Sequence, residues 1–172
     1  MSETERENRS SARRVTRLAL LVGLASVLHA VEAAIPVPYL IPGAKLGLAN
    51  TVALYAVFKL GLGDALTVSV LRTLLGSLVS GTFLNVSYYL STGGAVVSTI
   101  FMYAVRKASG SRLSTVGVSI GGAATHNMTQ LLLAALILRT TGVFFYLPYL
   151  LFFAVPTGIL TGLLVGRLVK IG

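Results

Sequence analysis

Apolar side chains fill most of the chain from Leu18 to Val165, and only short polar breaks interrupt them. A soluble fold needs a polar surface to cover its core, and this stretch has too few polar residues to build one. Charged residues are 11% of the 172 residues and hydrophobic residues 55%, whereas a soluble domain averages about 25% charged. Mean hydropathy is +0.84. In lipid only a helix or a closed barrel satisfies its own backbone, and long unalternating apolar runs select the helix. The expectation is an all-α integral membrane protein with one membrane domain, residues 15–172.

The polar breaks divide that domain into six spans with both termini on one side. Met1 to Arg14, rich in Glu and Arg, is expected to be a disordered cytoplasmic tail, residues 1–14. The first span is Leu18–Ile35, which is long and carries His29 and Glu32, unlike a cleaved leader. The others are Leu46–Leu60, Ala65–Ser80, Asn85–Val105, Val116–Leu138 and Val143–Val165, the last with Pro148 and Pro156 and hence an expected kink. The basic residues test this topology. Arg6, Arg9, Arg13, Arg14, Arg17, Lys59, Arg106, Lys107, Arg112, Arg167 and Lys170 all fall on one side, eleven of the fourteen in the chain. Basic residues collect on the cytoplasmic side, so the termini are expected there and the protein in the cell membrane. The net charge of +9 is then mostly a topology signal. It also attracts anionic lipid, and no segment is large enough for a nucleic-acid-binding fold.

Between the first two spans lies Ile35–Asn50, with prolines at 36, 38 and 42. Proline removes a backbone donor, so no regular helix runs through it. It reads as a folded loop on the outer face that delivers Lys45 and Asn50 to a binding site; a plain connector with an interfacial lysine is the alternative.

Strongly polar residues inside spans are costly unless paired, hydrated or bound to ligand. Helix rise puts Glu32, Lys45, Asn50, Asn85 and Gln130 in the outer half and Arg72, about 10 Å into its span, near mid-depth with His126. His126 and Gln130 are one turn apart with Asn127 beside them. These eight residues form the candidate substrate site. Arg72 offers a planar fork for a carboxylate or phosphate, or is a structural partner of Glu32 or Asp64. His126 is a ligand contact or an interhelical hydrogen-bonding residue. On the first span Ala19, Gly23, Ser26 and Ala30 follow small-residue spacing, which serves either packing within the body or docking of a partner subunit.

Catalysis is the weaker class. The chain has 5 carboxylates, no Cys, no Walker-type glycine loop and no paired acidic motif for Mg²⁺ on a diphosphate. No enzyme activity, cofactor or metal is expected.

Pro42-Gly-Ala-Lys-Leu-Gly-Leu-Ala-Asn50, followed by His126-Asn-Met-Thr-Gln130, resembles a bacterial membrane family known as heptaprenyl diphosphate synthase component I and as the Gx transporter family. That family looks related to the S components of energy-coupling factor (ECF) transporters. The resemblance implies a six-helix substrate-binding subunit for a micronutrient or an isoprenoid- or quinone-precursor-like compound. It also implies docking, partly through small residues of the first helix, on a transmembrane coupling subunit driven by ATPases. Alternatives are a noncatalytic accessory of heptaprenyl diphosphate or quinone synthesis and a solitary transporter.

Overall fold

The computed structural model describes residues 3–34, 47–110 and 112–171. Six α-helices follow one another: α1 (Glu3–Ala34), α2 (Leu48–Lys59), α3 (Leu62–Val79), α4 (Val86–Ser109), α5 (Thr115–Leu138) and α6 (Leu147–Ile171). A 3-10 turn, Gly142–Tyr146, leads into α6. No strand occurs among the described residues. The Glu7–Glu32, Leu62–Val79 and Gly142–Ile171 segments are long and apolar enough to cross a membrane. Helices α4 and α5, of 24 residues each, are long enough, but Ser, Thr, Gly, His, Asn and Gln dilute them.

The short helix α2 is the centre. Twelve residues rise about 18 Å, yet this helix packs on α1, α3, α4 and α6. Its sequence is mostly apolar with no single polar face, as suits a helix enclosed by others. Ala49, Ala53 and Ala56 are among its fully buried residues, and their small side chains let the neighbours approach. The outer helices show the reverse of a soluble pattern: Leu20, Leu24 and Val27 on α1 and Phe152, Leu160 and Leu163 on α6 face outward. Such a surface is stable against lipid and costly against water.

Helix α1 differs from expectation at its start. Residues from Glu3 onward, read as a disordered tail, are helical. Extending an anchored helix costs far less than nucleating one, and the segment is mostly Glu, Arg and Ser without Gly or Pro. It is also tied down: Arg14 Nη2 lies 2.5 Å from Asp64 Oδ1 in the first turn of α3. Pro148 falls in the first turn of α6, where a missing N–H loses no bond. The same helix continues through Pro156.

Apolar contact gives helices in lipid little reason to associate, so close packing and hydrogen bonds set their register. Ser69 and Thr99 bond at 2.7 Å between α3 and α4, and Ser119 and Thr161 at 2.5 Å between α5 and α6. Gly158 and Gly162 bring α6 onto the backbone of α5: a Cβ on Gly158 would sit 2.6 Å from Ile120 Cα, and one on Gly162 2.5 Å from Val116 Cα. By contrast, a Cβ on Gly23 of α1 would meet nothing within 4 Å.

Gly162→Ala is therefore expected to lower stability by about 1–3 kcal/mol through backbone overpacking, and Gly23→Ala to leave it unchanged. Thermal unfolding of the detergent-solubilised protein measures both; equal midpoints for the two variants would contradict the close α5–α6 approach.

Candidate functional site

Strongly polar residues from all six helices converge on one cavity. α1 brings His29 and Glu32, three residues apart and both buried. α2 brings Asn50, α3 brings Arg72 and Thr73, and α4 brings Ser91 and Ser98. From α5 come Ser119, His126 and Asn127, and from α6 Thr157 and Thr161. Helical spacing explains the grouping. Ser91 and Ser98, like Ser119 and His126, are two turns apart, and Thr157 and Thr161 one turn, so each pair shares a face.

Arg72 is the electrostatic centre. Its side chain is 3% exposed. Nη2 donates to Asn50 Oδ1 at 2.6 Å, and the Glu32 carboxylate acts on it electrostatically. The buried Nε finds no acceptor among the described residues. Glu32 has a second role: its Oε1 accepts from the Leu48 amide at 2.5 Å. Leu48 is the first residue of α2, and Gly47 before it, with φ 71°, has no side chain to cap the helix. Glu32 of α1 thus caps α2 from outside, where the N-terminal dipole favours a negative charge. Asp64, the other expected partner of Arg72, is bonded to Arg14 instead.

Both histidines sit against a glycine of a neighbouring helix. A Cβ on Gly94 of α4 would lie 2.9 Å from His126 Cε1 and 3.0 Å from Nδ1, and one on Gly76 of α3 2.5 Å from His29 Cδ2. Gln130 is buried one turn beyond His126, also against Gly94, but does not line the cavity. Asn127 lines its edge and donates from Nδ2 to the Leu150 carbonyl at 2.9 Å, tying α5 to α6.

One expected site residue among those described is not brought to this cluster. Asn85 is exposed at the N-cap of α4, outside the cavity. It ends a turn, with its backbone carbonyl accepting from the Tyr88 amide, and its side chain does not cap the helix. Lys45 lies outside the described residues, as do the three prolines of its loop. The expected docking residues of α1 do not share one environment. Ala19 and Gly23 face outward, Ala30 is half-buried, and Ser26 is buried with Oγ donating to the Val22 carbonyl at 2.7 Å. A hundred degrees of turn per residue carries Ser26 toward the bundle and off an outward face.

The cavity is small, about 40 Å³, room for a few waters or a small ion. Among the described residues no group of three His, Cys, Asp or Glu is placed to hold a metal ion. What converges is a buried cation, a carboxylate already capping a helix, two imidazoles and a ring of hydroxyls. That set binds and orients a polar group.

Fold and site together define a helical membrane protein with a small, polar-lined cavity among its helices. A family model described as heptaprenyl diphosphate synthase component I matches residues 21–168. The match covers most of the chain and all six helices, and the chain belongs to that family. No curated protein and no solved structure matches it.

Asn50→Ala removes the acceptor of a buried Arg72 donor and is expected to cost about 1–3 kcal/mol. In an Arg72→Met background the donor is gone and the same substitution should cost much less. Thermal unfolding of the four proteins of this cycle measures the difference; identical costs in both backgrounds would mean that the bond contributes nothing.

Proposed function

We propose that the protein is the substrate-binding membrane subunit of an ECF-type uptake transporter for a small polar or anionic molecule. The observation that carries the reading is the buried Arg72, with Nε lacking an acceptor among the described residues, in a cavity made by six helices. No nucleophile–base pair is set for bond cleavage among the described residues of that cavity, and a guanidinium with a donor to spare is suited to a carboxylate or phosphate. The substrate is held by Arg72, Asn50, His126 and Asn127, with Lys45 entering from the loop before α2, Glu32 holding the start of α2, and Gln130 backing His126. All six helices cross the membrane and both termini are cytoplasmic. Support comes from the basic residues Arg13, Arg14, Arg17, Lys59, Arg106 and Lys107, which line cavities sharing Lys59 and Leu60 at one end of the bundle. The partners are a membrane coupling subunit and ATPases, since the chain has no nucleotide-binding loop of its own.

Cavity size adds a mechanical requirement. A micronutrient-sized ligand needs roughly 300 Å³ or more, several times the space present. Loading such a ligand requires the helices to part around Arg72, and release inward requires them to close. Coupling to ATP hydrolysis would act on that motion.

The family's description favours a second reading, a noncatalytic membrane partner in a heptaprenyl diphosphate synthase complex. Native mass spectrometry of the protein gently extracted from its own host separates the two. The transporter reading expects a small molecule copurifying with a coupling subunit and ATPases. It also expects Arg72→Ala and Lys45→Ala, still folded and monodisperse, each to weaken retention of that molecule roughly tenfold or more, as loss of a charge-assisted bond does. A soluble prenyl synthase as the copurifying chain, with no ligand sensitive to either substitution, would overturn it in favour of the accessory. Uptake in cells lacking coupling subunits would instead make the protein a solitary transporter.

A further inference from the structure

Asn50 and Lys59 lie at opposite ends of α2, about 14 Å apart along its axis. Beside Lys59 the bundle opens into a groove of about 600 Å³, separate from the polar cavity. Its walls come from the end of α2, the turn into α3 and the end of α4. Three cations line it, Lys59, Arg106 and Lys107, together with the rings of Phe58 and Tyr103. Among the described residues no carboxylate does. Asp64, one turn into α3, lines the adjoining cavity, where Arg14 bonds it.

Arg106 is anchored. It donates through Nη1 to the Val57 carbonyl and lies over the Phe58 ring, with Cζ 4.5 Å from the centroid. That bond occupies one N–H of the guanidinium and leaves the rest of the fork for an incoming acceptor. Lys59 and Lys107 are exposed beside it and free to swing. A merely solvated basic face would let its cations diverge. Here one is fixed against an aromatic wall inside a concavity, and like charges so gathered favour an anion between them. Aromatic rings next to cations at the end of apolar helices mark headgroup depth.

We propose that this groove binds the phosphate of an anionic lipid headgroup. The phosphate oxygens take the open edge of Arg106 and the ammonium groups of Lys59 and Lys107. The glycerol backbone lies against Phe58 and Tyr103, and the acyl chains run down the lipid-facing surface. A free phosphate ion shares the headgroup's chemistry, so the test separates the two sources. The site is independent of what the polar cavity carries.

The test uses the full chain in detergent, titrated with phosphatidylglycerol, with phosphatidylcholine or with inorganic phosphate alone, and read by native mass spectrometry. Phosphatidylglycerol should be retained in preference to phosphatidylcholine. Lys59→Gln with Lys107→Gln should weaken that retention roughly 30-fold, the worth of two lysines beside anionic lipid. Arg106 stays unchanged, because it also holds the Val57 carbonyl. Lys170→Gln, outside the groove on the last turn of α6, should have no effect. Equal retention of the two lipids, or equal loss in Lys170→Gln and the double variant, overturns the proposal. Lysine-dependent binding of inorganic phosphate, with phosphatidylglycerol indifferent to the lysines, overturns the lipid source and assigns the groove to a soluble phosphate.

Discussion

A guanidinium in the middle of an apolar bundle keeps its charge and must be bonded where it sits. Much of this structure follows from that demand on Arg72. Asn50 meets it by direct contact and Glu32 by charge. Because Glu32 also accepts from the Leu48 amide, one carboxylate joins α1, the start of α2 and the cation of α3. Three helices are thus positioned by polar contacts in a medium where apolar contact is nearly neutral. Helix α2 can be short because its first turn is capped from α1 and needs no water.

Polar residues in apolar sequence were legible because each is expensive, so Glu32, Asn50, Arg72, His126 and Asn127 could be singled out and do meet around one cavity. Asn85 stood out for the same reason, but a residue at the mouth of a span can satisfy itself with solvent. The hydroxyls lining the cavity were not legible. Ser and Thr bond the carbonyl three or four residues back, as Ser98 does to Ala95 and Thr161 to Thr157, so their presence in a span carries little information. His29 was not singled out as a site residue, although it lies one helical turn before Glu32. The helical start of α1 had no apolar pattern to announce it, and depends on a contact between Arg14 and Asp64, far apart in sequence.

Small-residue spacing shows the same limit. On α1 the pattern drew attention, and a Cβ on Gly23 would meet nothing within 4 Å in this chain. On α6 Gly158 and Gly162 have the same spacing and lie against the α5 backbone. Spacing says that a helix can be approached closely; which helix is approached depends on which face the rest of the bundle covers. Among the described residues three helices qualify as spans by length and apolarity. The polar residues that build the cavity are also what lowers the apolarity of α5, so the site partly hides the architecture that holds it.

The seating of His126 on Gly94, and of His29 on Gly76, constrains how this protein can change over time. Neither glycine can gain a side chain while its histidine stays, since the first added carbon would meet the imidazole at 2.9 Å or less. Neither histidine can shrink without leaving a void beside a bare stretch of helix. Each pair must drift together or not at all. The two imidazoles are therefore inherited as lock-and-notch units spanning neighbouring helices, and a descendant that exchanges one for a different ligand-binding group must remodel the facing helix in the same step.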